Sequence, residues 1–339
     1  MARRRLFVNE FESSHRRRVR GVVTSPDGFS AAGLPAVHPR PDLPANVRIY
    51  EVGPRDGLQA ERAIIPLDVK LSLIDRLGDA GLCIIEATSF TSPRWVPQLA
   101  DADELPTMLE RRSEVRYPVL VPNLRGFERA MAAGADEIAV FVSATERFAR
   151  ENLGTNLEGA LQMAAPVVRQ AVTEGIPVRG YVSMCFGDPW EGRVDPTKPA
   201  AVAARLVEFG CTNISLGDTI GVATAGQIGA VINAVEAAGV PRTQIALHLH
   251  DTYGQALANV LAGLEAGVAE FDSSAGGVGG CPYARSATGN LATEDLVWML
   301  EGLGIPTGID LPRLAETSRW LAEKLGRPAP SRVVTALTS

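Results

Sequence analysis
The chain has 339 residues, enough for one large core or two smaller ones, and its 46% hydrophobic content is ordinary for a globular protein. No apolar run is long enough to span a bilayer, and a net charge of −6 argues against nucleic acid as a partner. Cys83, Cys185, Cys211 and Cys281 are scattered without a CxxC pair, which argues against a disulfide framework or a structural zinc site and for a reducing, cytoplasmic setting.

Residues 1–45 read as a flexible extension. The first 25 residues carry seven arginines against Glu10 and Glu12, and 26–46 is rich in Pro, Gly and Ala without apolar periodicity. The two glutamates weigh against an organelle transit peptide, and there is no apolar core of a secretion signal. A basic arm for an acidic partner is the alternative to a passive tail.

From residue 46 a short β-rich run, a polar or Gly-rich turn and an amphipathic helix repeat. The strand-like runs are 47–52, 83–87, 115–121, 137–142, 178–184, 213–216, 244–250 and 268–272. Helical stretches lie between them, such as 68–77, where apolar residues recur at three- and four-residue steps. Several helices stop at Ala80-Gly81, Ala133-Gly134, Phe209-Gly210 or Ala266-Gly267. Trp298 and the apolar run 296–300 have helical spacing and read as core, with an interface as the alternative. Eight strand–helix units predict an α/β chain folded as a (β/α)8 barrel over 46–310, with a C-terminal helix and tail over 311–339. A doubly wound sheet would need an early GxGxxG turn, and Glu51-Val52-Gly53-Pro54-Arg55-Asp56-Gly57 is not one.

Chemistry in such barrels sits at the C-terminal ends of the strands. There the chain places Arg55 and Asp56, Glu86, Asn123, Ser143, Met184 and Cys185, Asp218 and Thr219, His248 and His250, and, in the last loop, Cys281 and Asn290. Helix capping accounts for Asn290 or Asp218, and a turn for Asp56. It does not account for Arg55, Asp56, Glu86 and two histidines together, because buried charges demand partners. His248 and His250, two apart on a strand, share one face. The pair alone is read equally well as polar residues at a strand end. With Asp56 and the amide oxygen of Asn290 it offers nitrogen and oxygen donors without thiolate, which suits Mg2+ or Mn2+, with Zn2+ or Co2+ as alternatives.

Longer segments carry a resemblance. They are Glu51-Val52-Gly53-Pro54-Arg55-Asp56-Gly57-Leu58-Gln59, Ser89-Phe90-Thr91-Ser92-Pro93 with Trp95-Val96-Pro97-Gln98, Ser215-Leu216-Gly217-Asp218-Thr219-Ile220-Gly221, 248–259, Gly279-Gly280-Cys281-Pro282-Tyr283-Ala284 and 289–304. In this order they resemble the 3-hydroxy-3-methylglutaryl-CoA lyase family, among the metal-dependent lyase and synthase barrels with an Asp-Arg-Glu signature. The resemblance implies retro-Claisen cleavage of a 3-hydroxy-3-alkylglutaryl-CoA to acetyl-CoA and a 3-oxo acid, acetoacetate for the methyl compound of leucine catabolism. It implies a divalent cation on Asp56, His248, His250 and Asn290, and Arg55, Asp56, Glu86, His248 and Cys281 as catalytic groups. Gln59, Arg62 and Asp218 would face the substrate, and the chain would form a homodimer without membrane or nucleic-acid partners. The hydroxyl proton would leave to His248 or Asp56. Arg62 stands where the family pattern has lysine, and Met184-Cys185-Phe186-Gly187-Asp188 departs from a Gly-Cys-Pro pattern on the rim. That departure keeps a longer-branched acyl chain in view. A Claisen-type synthase for 2-isopropylmalate, homocitrate or citramalate is the rival enzyme, disfavoured by the Gly-Gly-Cys-Pro-Tyr loop. A metal-stabilised scaffold without activity is the non-enzyme alternative.

Overall fold
The computed structural model describes residues 33–280 and 289–338. Its main sheet has eight strands: β1 (Arg48–Glu51), β2 (Thr88–Ser89), β3 (Val119–Leu120), β4 (Ile138–Ser143), β5 (Val178–Ser183), β6 (Asn213–Asp218), β7 (Ile245–Leu249) and β8 (Glu270–Ser273). They pair in the order β1-β8-β7-β6-β5-β4-β3-β2, and each pairing is parallel. The two edges meet: the Glu51 N–H donates to Ile84 O at 3.0 Å, and the Glu86 N–H to Glu51 O at 2.8 Å. The sheet therefore closes as the barrel that the strand count predicts.

Residue alternation decides what faces the helices and what faces the lumen. In β4, Ile138, Val140 and Val142 join the large outer core, while Ala139 and Phe141 pack inward with Leu120 and Tyr181. Ile214 and Leu216 of β6 and Ile245, Leu247 and Leu249 of β7 also join the outer core. Each such side chain removed from water stabilises the fold by about 1.5–3 kcal/mol. The outer layer comprises α1 (Leu67–Asp79), α2 (Leu105–Met108), α3 (Leu124–Ala132), α4 (Glu146–Leu153), α5 (Leu157–Thr173), α6 (Thr197–Phe209), α7 (Ala225–Ala237), α8 (Ala256–Glu265) and α9 (Thr293–Gly302). After these come α10 (Leu311–Leu325) and α11 (Arg332–Thr338).

The helix boundaries have local causes. The side chains of Asn123, Asn156 and Asp310 accept from the backbone N–H of Gly126, Gly159 and Arg313, and Thr224 and Gln227 form a capping box. At the stop after α1, Gly81 takes φ +97°, a conformation that a side chain would strain.

The second strand differs from the sequence expectation. Regular pairing falls on Thr88–Ser89, whereas 83–87 makes single bridges at Ile84 and Ile85. This segment lies at the closure point, and the stretch it faces just before β3 contains Pro118, which has no N–H to give to a ladder. Among the described residues no helix is long and apolar enough to cross a membrane.

Candidate active site
After β1 the chain makes a turn of π-helical geometry, Gly53–Gly57. Its bonds run from the N–H groups of Asp56 and Gly57 to Val52 O, at 2.8 and 3.1 Å. The turn brings Arg55 and Asp56 to the C-terminal mouth of the barrel. A Cβ at Gly53 would lie 2.5 Å from Glu51 Oε1, the buried oxygen that accepts from the Gly53 N–H, so a side chain there would displace Glu51.

Arg55 is buried and donates through Nε to Glu86 Oε2 and through Nη1 to Asp56 Oδ1, both at 2.7 Å. The Tyr181 hydroxyl lies 3.3 Å from the same Glu86 oxygen, and the Arg55 guanidinium stands over its ring. Burial pushes the Glu86 carboxyl up, against the pull of Arg55. Glu86 Oε1 is buried without a partner. Burial also acts to raise Asp56, but Arg55 and the two imidazoles outweigh it and hold the carboxyl down at about 2.

His248 stands in register between Gly217 of β6 and Asp272 of β8. Its Nε2 is 3.2 Å from His250 Nε2 and 4.0 Å from Asp56 Oδ2. Burial opposes charge on His248, yet the carboxylates of Asp272 and Asp56 prevail and its pKa is raised. His250, buried and facing His248, is lowered to about 4. Residue 290 arrives from the other end of the chain because 289–291 lies along the end of β7, with Leu291 N–H bonded to Leu249 O at 2.9 Å and Asp251 N–H to Gly289 O at 3.2 Å. Asn290 Nδ2 then donates to Asp56 Oδ2 at 2.9 Å and to Val278 O at 3.2 Å.

The ligand atoms of Asp56, His248 and His250 all lie within 4.8 Å of one another. Asn290 Oδ1 is buried beside them with no hydrogen-bond partner. A buried amide oxygen left unpaired next to a carboxylate and two imidazole nitrogens fits a divalent cation.

The other expected residues are placed less closely together. Asp218 is buried at the end of β6, where its two carboxylate oxygens accept from Val222 and Ala223 N–H at 2.9 and 3.0 Å. Burial raises it to about 6 against those bonds. Gln59 is half-buried and Arg62 exposed on the segment after the Gly53–Gly57 turn. Cys281 lies outside the described residues. Tyr181, Asp272, Arg179 and Ser215 do not stand out in the sequence as site residues, yet the first two touch Glu86 and His248. The available signal was charge inside apolar strands: Arg179 in β5 and Asp272 in β8 could not be buried there without partners.

A family model described as HMGL-like matches residues 46–321. The chain is 52% identical over 294 residues to hydroxymethylglutaryl-CoA lyase, mitochondrial, of Mus musculus, covering 87% of this chain and 90% of that protein. It is 51% identical over 296 residues to 3-hydroxy-3-methylglutaryl-CoA lyase, cytoplasmic, of Danio rerio, covering 87% and 88%. The crystal structure of hydroxymethylglutaryl-CoA lyase from Pseudomonas aeruginosa superimposes with a TM-score of 0.85 at 47% identity, covering 87% of this chain and 98% of that one.

Proposed function
The chain belongs to the HMGL-like family, and on that premise we propose that it cleaves 3-hydroxy-3-methylglutaryl-CoA to acetyl-CoA and acetoacetate with a divalent cation, Mg2+ or Mn2+. The observation that carries this reading is the convergence of Asp56, His248 and His250 beside the Arg55–Glu86 pair.

Asp56, His248, His250 and Asn290 would hold the cation. It would supply Lewis acidity that lowers the pKa of the tertiary hydroxyl. The chain's own groups do the rest. The hydroxyl proton leaves to His248 or Asp56. The departing acetyl-CoA is born as an enolate, whose negative charge needs a fixed donor. Arg55 answers to this: a guanidinium has three nitrogens, and its ion pairs with Glu86 and Asp56 run through Nε and Nη1. Glu86 keeps the guanidinium from swinging. Cys281, on the glycine-rich segment that the sequence singles out, returns a proton to the enolate carbon. Gln59, Arg62 and Asp218 bind the substrate, with Arg62 on the phosphates of coenzyme A. The scattered cysteines support a cytoplasmic setting.

The rim also favours a second reading. Met184, Phe148 and Ile220 form a buried apolar cluster at the end of β5, and Met184 holds φ 59°, rare outside glycine. Apolar side chains at this rim, where the sequence departs from the Gly-Cys-Pro pattern, support a lyase for a longer-branched 3-hydroxy-3-alkylglutaryl-CoA.

The test is release of acetoacetate from 3-hydroxy-3-methylglutaryl-CoA, with Mg2+ and then with EDTA. Metal-dependent product is expected. No product with metal present overturns the first reading, and turnover of a longer-branched analogue under the same conditions then selects the second. Cys281→Ala is expected to keep substrate binding and lose most turnover.

A further inference from the structure
β8 carries Glu270 and Asp272 on its lumen face, two carboxylates in a strand buried throughout. Arg179 of β5, 2% exposed, reaches across the lumen to both. Its guanidinium also meets Asn213 Oδ1 at 2.5 Å and lies 4.1 Å from the Tyr50 ring centroid. Arg179 is therefore clamped on several sides.

The Asp272 carboxylate is fully shared out. Oδ1 accepts from Arg179 Nη2. Oδ2 accepts from Ser215 Oγ at 2.8 Å and lies 3.2 Å from His248 Nδ1. An ion-paired carboxylate is an acceptor only, so this last contact is favourable only when Nδ1 carries the hydrogen. Nε2 then carries the ring's free lone pair, and it is the nitrogen that faces His250 and Asp56. The neighbouring histidine has no such support, for His250 Nδ1 is buried without a partner.

We propose that Asp272 is a positioning residue that fixes the ring orientation and tautomer of His248, with Arg179 and Ser215 holding Asp272 in place. The proposal rests on the reading of Asp56, His248 and His250 as cation ligands. Outer partners of this kind hold a ligating imidazole ready for the ion.

Glu270 supplies the control. It pairs with Arg179 as Asp272 does, so its loss removes the same kind of charge from the lumen, but no bond joins it to His248. Mn2+ binding is measured through the EPR signal of the free ion, with circular dichroism and thermal melts to follow the fold. Asp272→Ala is expected to weaken Mn2+ binding by about 10–100-fold, whereas Glu270→Gln leaves it within about twofold. Asp272→Asn covers the case in which the alanine variant does not fold. Three donors surround Asp272, so an amide that keeps its oxygen on Arg179 turns its N–H toward His248 and imposes the wrong tautomer. It is expected to weaken Mn2+ binding by at least about tenfold. Wild-type protein that binds no Mn2+ overturns the cation reading, and this proposal with it. Wild type that binds, with the Asp272 variants binding as tightly or weakened no more than Glu270→Gln, overturns this proposal alone.

Discussion
The amide nitrogen of Asn290 lies 2.9 Å from Asp56 Oδ2, which joins two residues 234 positions apart in the chain. That contact fixes which way the amide points, and so leaves its oxygen buried and unpaired. Removing the side chain takes away that oxygen and one anchor of the Asp56 carboxylate together. Asn290→Ala is expected to raise the Kd for Mn2+ by roughly 10–100-fold, the range seen when groups that hold a metal ligand are lost. Isothermal titration of the metal-free protein measures it. An unchanged Kd would remove Asn290 from the ligand set.

Arg55 bridges two carboxylates through two different nitrogens, a geometry that a planar fork can make and an ammonium cannot. Arg55→Lys keeps the positive charge and abandons one of the two bonds. Loss of a preorganised donor at a developing anion predicts a fall in kcat of about 10²–10³-fold with little change in KM. Steady-state kinetics on 3-hydroxy-3-methylglutaryl-CoA would show the split. A rise in KM alone would instead make Arg55 a binding residue.

Much of this fold is legible because one strand face is apolar wherever helices cover it. The runs at 137–142, 178–184 and 244–250 announce themselves by composition, and their strands lie within them, give or take a residue. The run at 83–87 does so as well, but composition does not reveal that it closes the barrel by single bridges. At the site, the spacing of His248 and His250 gives a shared face, long motifs carry Arg55, Asp56 and Asn290, and Glu86 follows from its place at the end of the second strand-like run. The inner layer is another matter. Arg179, Ser215 and Asp272 come from three strands, and periodicity within one strand cannot say which inward residues of the others they will meet.

Glu294 and Glu51 are buried carboxyls around the turn that follows β8. Gly276 N–H and Ser318 Oγ donate to Glu294, and Thr293 Oγ1, Ala275 N–H and Gly53 N–H donate to Glu51. Burial, above all, pushes Glu294 up to about 8 and Glu51 to about 7, in spite of those bonds. Both are raised above an ordinary unfolded carboxyl, so between pH 4.5 and 8 the folded state binds more protons than the unfolded one. Stability from these groups is therefore fully present at acid pH and is lost as pH rises through the folded pKa. Glu294→Gln, which cannot ionise, is expected to melt closer to wild type, or above it, at pH 8 than at pH 5. Melting temperatures of the two proteins across that range decide it. A difference that does not vary with pH would mean that Glu294 is ionised in the folded protein throughout.

Two glycine-to-alanine changes should act in opposite directions. A Cβ on Gly289 would lie 1.8 Å from the carbonyl oxygen of Gly277, in the backbone that delivers Asn290 to Asp56. The backbone must move to admit it, and overpacking of this kind costs about 1–3 kcal/mol or more. Gly289→Ala is therefore expected to lower Tm by several degrees and to weaken Mn2+ binding along with it. Gly229, inside α7, meets nothing within 4 Å of the same added carbon. There alanine removes only the entropic penalty of glycine in a helix, a gain of about 0.5–1 kcal/mol. Gly229→Ala is expected to raise Tm and to leave Mn2+ affinity unchanged. Calorimetry and metal titration on the two variants separate the effects, because the fold can absorb a methyl group on its outer helix but not where the 289–291 segment must lie against β7. Equal melting temperatures for both variants would contradict the close approach of 277 and 289 on which the placement of Asn290 depends.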